Sequence, residues 1–196
     1  MAPSTVVPDT FARALASLLA VTPRPEITLE ELAPPHRLAP FAHAVRTTVT
    51  RDDDEAADGR LVLLYDPAGH EAWQGTMRLV GYATAALEPE LSGDPLLAEV
   101  GWSWLTDALS AAGAAYTALG GTVTQATSTG FGTLAAAQVT SDLEIRVSWT
   151  PLRADLSGHL QAWCALLASM AGLPPPGVTA LPHRPRTLAG DAPSPA

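Results

Sequence analysis

Apolar residues recur with helical spacing in three segments of the chain. In the first segment, Phe11, Leu15 and Leu18 fall on one face after a proline start signal at Pro8. In the last, leucines and Trp163 share a face in the same way. The pattern predicts helices from Pro8 to before Pro23, at Asp94–Ala112 and at Asp155–Ala171.

Other segments alternate between apolar and polar residues, which is typical of half-buried strands. The clearest case is Asp142–Thr150, where every second residue from Leu143 to Trp149 is apolar. The same reading predicts strands at Phe41–Thr50, Arg60–Tyr65, Thr76–Leu87 and Gly121–Thr127, with a short edge strand around Ile27–Leu29.

The connections between these strands are short. Arg51–Gly59 is polar and acidic and is predicted to be a turn, and Asp66–Gly69 is predicted to be a second turn because it combines proline with glycine. Gly81 lies inside a predicted strand and indicates a bulge or a close approach of another group. Short connections favour antiparallel pairing.

The element order predicts an α+β fold with a single, mostly antiparallel sheet of five to six strands and three helices on one face. The expected order is α-β-β-β-α-β-β-α. The folded domain is expected to span residues 8–172. Residues 1–7 and the Pro-rich tail at 173–196 are expected to be disordered, because they contain few large apolar residues.

Charge narrows the classes of partner. All 11 basic residues are arginines, 20 residues are acidic, and the formal net charge is -9. Such a charge disfavours direct binding to nucleic acid or to anionic membranes, whereas it suits solubility or a protein partner. One cysteine, Cys164, excludes an intrachain disulfide, and the first residues lack a signal-peptide pattern, so a cytoplasmic location is expected.

No motif specifies a reaction, and no metal or cofactor is predicted. His70 and Glu71 lack the second histidine of a zinc-protease helix. Glu99 and Asp107 lie two helical turns apart, where paired carboxylates could act as acid and base if they were desolvated. A structural or solvated role is favoured for all four residues, which remain the candidates for an enzymatic alternative.

Two tryptophans are candidates for binding. Trp102 and Trp104 point about 200° apart on the predicted central helix, so both cannot face the same sheet. Trp104 groups with the core side, which leaves Trp102 at the edge of the helix. Contact with a partner or a second copy through Trp102 is one interpretation, and packing beneath Trp73, Trp163 or a loop is the other.

Three blocks of sequence carry a family resemblance. The segments Leu61–Trp73, Asp94–Leu105 and Glu144–Pro151 resemble the actinobacterial family of Domain of Unknown Function 3000. The resemblance implies no established activity and no catalytic residues. It does point toward RNA metabolism, because genes of this family often lie beside one for a ribonuclease D-type exonuclease. The element order alone is similar to that of small acidic secretion chaperones and YbjN-like proteins, which implies a dimeric binding module.

The sequence therefore favours a non-enzymatic, acidic binding or accessory module of the chaperone or adaptor kind. It would act through a protein partner, with a tie to RNA metabolism through that partner, and it could form a homodimer. The contact is expected on the sheet face that the helices leave bare, or at the helix edge that carries Trp102. The alternative is a small-molecule enzyme that uses carboxylate and histidine residues as acid and base.

Overall fold

The computed structural model describes residues 7–35, 37–88, 91, 93–134 and 139–178. Nine regular elements follow one another along the chain, with single turns of 3-10 helix at Glu71–Trp73 and Gly132–Leu134. They are α1 (Asp9–Leu19), β1 (Ile27–Leu32), β2 (Phe41–Arg51), β3 (Asp54–His70), β4 (Gly75–Ala86), α2 (Leu97–Ala111), β5 (Tyr116–Ser128), β6 (Thr140–Pro151) and α3 (Ser157–Met170).

The strands form one six-stranded sheet in the order β1-β2-β3-β4-β6-β5, and every neighbouring pair is antiparallel. The predicted α+β class with a single antiparallel sheet is confirmed. The expected order α-β-β-β-α-β-β-α counted three strands before the central helix and left out the short edge strand predicted around Ile27–Leu29. That strand is present as β1, which extends to Leu32 and pairs with β2 along its full length.

The predicted turn at Arg51–Gly59 is wrong in its extent. Only Asp52 and Asp53 lie between the strands, and both have positive φ, at 53° and 68°. Paired positive φ values are typical of a tight two-residue hairpin turn, whose twist matches that of the strands. The acidic residues that follow, from Asp54 onward, belong to β3 and pair with β2.

The turn predicted at Asp66–Gly69 lies inside the bounds of β3 as an interruption of its pairing with β4. The register breaks between Tyr65 and His70, Gly69 has a φ of 76°, and the Asp66 carboxylate accepts the N–H of Ala68. An acidic side chain that bonds two residues ahead, followed by glycine, is the turn chemistry that the sequence indicates.

The three helices pack on one face of the sheet. Their buried side chains belong to the same core as alternate residues of the strands, and α3 lies over β3 and β4. The indole of Trp163 lies directly against Gly81, and a Cβ atom added there would come within 2.5 Å of its ring. Gly81 therefore marks a close approach, one of the two readings of the sequence.

The central helix begins three residues later than the sequence predicts. Asp94 accepts the N–H of Leu96 and precedes the helix proper, which starts at Leu97. The predicted disordered ends lie largely outside the described residues, which stop at 178 and begin at 7. Among the described residues, no helix combines the length and the apolar character needed to cross a bilayer.

Candidate functional site: the open face of the sheet

In the part of the chain that the structure describes, one face of the sheet carries no helix, and its residues are those that alternate with the core positions. A row of side chains crosses this face at one level, because Arg46 pairs with Arg60, Arg60 with Tyr82, and Tyr82 with Arg146 in register. We call Arg46, Arg60, Tyr82 and Arg146 the arginine row. Three of the chain's 11 basic residues thus lie side by side in a protein whose net charge is -9.

The arginine row separates an acidic end of the face from an apolar one. On one side the next level includes Asp58 and Glu144. On the other side it includes Val62 and Val80, which are partners in register and lead toward Leu64. The open face therefore changes from acidic to basic to apolar along the strand direction.

The arginines differ in how their charge is compensated. Arg46 forms ion pairs with Asp58 and, at 3.5 Å, with Glu55. Arg146 pairs with Glu144 at 3.0 Å and lies over the ring of Tyr82, 5.5 Å from its centre. The ion pairs of Arg46 and the contacts of Arg146 with Glu144 and Tyr82 hold these two guanidinium groups close to the sheet.

Arg60 is exposed and forms no ion pair with any described residue. It lies directly opposite Arg46, and like charges in this position are destabilising. The fold retains an uncompensated positive charge at the centre of its bare face, which is a site where an anionic group would be stabilised.

Arg78 adds a fourth positive charge at the apolar end. Its guanidinium donates to the carbonyl of Ala118 at 2.8 Å, to Ser148 at 2.7 Å and to Thr150 at 3.1 Å. Ala118 lies at a break in the β5 register with a φ of 49°, so this arginine binds the irregular edge strand to the sheet. Burial lowers the pKa of Arg78, and its partners among the described residues are all neutral.

A groove of about 530 Å³ lies on this face. Pro35 and Leu38, from the segment between β1 and β2, form one border of the groove, and Gly120 of β5 forms the other. The space beside Gly120 is open, since a Cβ atom added there would contact nothing. Val80 and Tyr82 line it, and each is 38% exposed. Arg60 and Arg146 line it as well, so the groove joins an apolar surface to two cationic groups.

Of the predicted binding residues, Trp73 lies on this side of the sheet. It packs against the buried cluster of Ala44, Val62 and Leu64, and its carbonyl accepts a hydrogen bond from Thr150. The ring of His70 stacks on it at 5.0 Å between centroids. Trp73 and His70 thus close the apolar end of the open face.

Trp102 lies on the opposite side of the sheet from Trp73. It is half-buried in α2 and packs over Gly121 of β5, where an added Cβ would come within 3.1 Å of its ring. A glycine in the edge strand thus leaves room for the indole. A partner contact through Trp102 stays a prediction, and the geometry itself explains the residue by packing within the chain.

The four acid–base candidates are not brought together. His70 and Glu71 are exposed at the β3–β4 connection, and Glu99 is exposed in the first turn of α2. Asp107 lines a separate groove of about 710 Å³ between α2 and α3, whose lining contains none of the other three. Within the described ranges, no cluster of three or more histidine, cysteine or acidic side chains could hold a metal ion.

The same helix-side groove includes Trp104 and Cys164. Burial raises the pKa of the Cys164 thiol to about 12, so the thiolate is scarce at neutral pH. The cysteine is buried and behaves as a small apolar residue.

Sequence reasoning missed the arginine row. Each arginine sits at a polar position of its own strand, which is unremarkable in a single segment. The row arises only from the register that aligns β2, β3 and β4 with β6, which lies far from them in the chain.

The fold and this face define a class of protein: an α+β fold whose antiparallel sheet is covered by helices on one side and presents charged and apolar groups on the other. The chain belongs to the family described as Protein of unknown function (DUF3000), whose model matches residues 7–179. No curated protein and no solved structure matches the chain.

Proposed function

We propose that this protein is a non-enzymatic binding or accessory module of the adaptor or chaperone kind, which engages a protein partner through the open face of its sheet. The observation that supports the proposal is the arginine row beside an apolar groove. The chain is acidic overall, yet Arg60 forms no ion pair with any described residue and lies opposite Arg46 on this face, which favours a partner that supplies negative charge.

The alternative of a small-molecule enzyme gains no support from the geometry. Glu99 and Asp107 share α2, but Asp107 lines the helix-side groove without the other three candidates, and His70 and Glu71 lie at the β3–β4 connection. In this proposal the protein partner supplies the link to RNA metabolism, because the chain's overall negative charge opposes direct contact with a polyanion.

Site-specific photo-crosslinking tests the proposal. A photoreactive amino acid at Val80, in the groove, is expected to capture a defined partner in lysate of the native cell, identified by mass spectrometry. The same group at Leu19, which is 45% exposed on α1, is the matched control and is expected to capture none of it. Adding Arg60→Glu should reduce the Val80 product at least tenfold, whereas Arg13→Glu on α1 should not.

Capture of the same proteins from both crosslinking positions, or a product that Arg60→Glu leaves unchanged, would argue against the open face as the binding surface. Both charge variants change one exposed arginine to glutamate, so the comparison removes the effect of net charge.

A further inference from the structure

We propose that the occupant of the open-face groove is an extended acidic segment of the partner, with carboxylates at Arg60 and Arg146 and small aliphatic side chains between them. This inference rests on the proposed function and specifies the chemistry of the ligand. It follows from charge complementarity, from the shape of the groove and from what covers the Tyr82 ring.

The charges that line the groove favour an acidic ligand. Arg60 forms no ion pair within the described residues and lines the groove. Arg146 lines it too, and its partner Glu144 is a residue of the same strand at an exposed site, where an ion pair is weak and can exchange. Two guanidinium groups that can each donate a pair of hydrogen bonds to a carboxylate thus border one apolar surface.

The spacing of the two arginines suits an extended peptide. Arg60 and Arg146 belong to β3 and β6, which are separated only by β4, so their backbones lie two strand spacings or about 9.6 Å apart. In a polyproline II peptide, side chains three residues apart lie on the same side and about 9.3 Å apart. An acidic residue at every third position would match both arginines.

The apolar part of the groove explains why the ligand would carry aliphatic side chains between its acidic residues. Val62 and Val80 are adjacent in register, and Leu38 borders them from the segment between β1 and β2. Val62 is buried, whereas Val80 is 38% and Leu38 is 59% exposed, and these two present methyl groups that a valine or proline of the ligand could cover. A purely charged ligand would leave this surface exposed to water.

Two observations favour a peptide over a nucleic acid. The guanidinium of Arg146 already lies over the Tyr82 ring, so the aromatic face on which a base would stack is occupied. A long polyanion would also meet Asp58 and Glu144 directly beside the arginine row. A segment with two or three carboxylates avoids both problems.

The groove is also shallow for a small molecule. It runs over an open sheet face between Pro35 and Gly120. Sites for small ligands typically bury about 70–90% of the ligand surface. A groove that stays open along the sheet suits a chain that enters and leaves.

Titration of the full-length protein with a synthetic peptide tests the inference. The probe is a blocked nine-residue peptide of three Glu-Pro-Val repeats, with its Gln-Pro-Val counterpart as the uncharged control. Calorimetry is expected to show binding of the acidic peptide that is at least tenfold tighter than that of the control and that weakens with salt. In the NMR spectrum of the backbone amides, the residues whose chemical shifts change on titration should be those of the open face around Arg60, Tyr82 and Gly120.

Variants and rival ligands sharpen the result. Arg60→Gln or Arg146→Gln should each weaken the acidic peptide about tenfold, while Arg13→Gln on α1 should leave it unchanged. Tighter binding of a ten-residue oligouridylate would overturn the inference in favour of a nucleic acid. A concentration-dependent dimer that Arg60→Gln abolishes would overturn it in favour of a second copy.

Failure of this inference can be told from failure of the proposed function. If the acidic peptide shows no preference over its control while crosslinking at Val80 still captures a protein, the face binds a partner by other chemistry and only the ligand class is wrong. If crosslinking at Val80 captures nothing and the peptide does not bind, both are wrong.

Discussion

Replacing Gly81 by alanine is expected to lower the free energy of unfolding by about 3 kcal/mol, which is a large part of the stability of an ordinary domain. The new Cβ would lie 2.5 Å from Cζ3 and 2.8 Å from Cη2 of Trp163. That indole is fully buried, and its Nε1 donates to Thr47 at 3.1 Å, so it has no free space to move into. Urea denaturation followed by far-UV circular dichroism measures the loss.

Gly120→Ala is the matched control for this substitution. Gly120 also lies in a strand of the same sheet, but no atom lies within 4 Å of the position its Cβ would occupy. Its replacement should change stability by less than about 0.5 kcal/mol. An equal loss in the two variants would mean that an added methyl group destabilises the sheet without contact with the indole, because the lower entropy of the unfolded chain should by itself stabilise both variants.

A double-mutant cycle isolates the contact itself. Trp163→Phe removes the outer ring that approaches Gly81 and costs stability in the wild-type background by leaving a cavity. In the Gly81→Ala background the smaller ring leaves room for the added methyl group. The two substitutions should therefore be less destabilising together than their sum, by at least about 1 kcal/mol.

Gly81 also shows what local sequence information can establish. A glycine inside an alternating strand predicts either a bulge or a close approach, and the contact with Trp163 corresponds to the second. The alternation of Asp142–Thr150 likewise predicts β6 almost to its observed ends. Both features depend on short-range periodicity, which a single chain displays directly.

The hairpin between β2 and β3 was harder to predict for a physical reason. Polar residues from Asp54 to Gly59 look like a loop, yet they continue a strand whose outward positions face water. Asp58 is held by Arg46, and this cross-strand ion pair is invisible without the register. Polarity indicates exposure, and an open sheet face is as exposed as a turn.

The candidate site shows the same limit on a larger scale. The sequence predicted a bare sheet face and placed the contact either there or at the helix edge that carries Trp102, but its charge argument used the whole chain. A net charge of -9 conceals a local row of positive groups, because the row brings together Arg46, Arg60 and Arg146 from three strands. Long-range pairing, rather than composition, determines the electrostatics of the face.

Trp102 is a residue whose direction the sequence indicated but whose surroundings it did not. A helical projection places it at the edge of α2 and suggests exposure. In the structure Gly121 of β5 lies beneath it, and the edge strand supplies the surface that the projection could not include. Helix periodicity gives the direction of a side chain but not what lies in that direction.

Acidification is expected to destabilise the protein through one buried histidine. His159 is 2% exposed, and its Nδ1 accepts a hydrogen bond from Trp149 Nε1 at 3.0 Å. Burial lowers the pKa of His159 to about 4, and the nearby charge of Asp155 opposes the shift only in part. A ring protonated on both nitrogens could not accept this bond.

The direction of the pH effect on stability follows from proton binding in the folded and unfolded states. The unfolded chain takes up a proton at His159 near pH 6.5, whereas the folded chain does so only near a pKa of about 4. Between these values the unfolded state binds more protons, so stability falls as the pH falls, and this contribution is constant outside that window. From pH 7 to pH 5 the loss assigned to His159 is about 2 kcal/mol.

Chemical denaturation at pH 7 and pH 5 measures this contribution when wild type is compared with His159→Gln. The glutamine carbonyl can still accept the indole N–H but does not titrate, so the variant should be less stable at pH 7 yet lose about 2 kcal/mol less than wild type on acidification. His70→Gln, which alters an exposed histidine, is expected to keep the wild-type dependence. An equal acid loss in wild type and His159→Gln would place the titrating group elsewhere, among the carboxylates that the two proteins share.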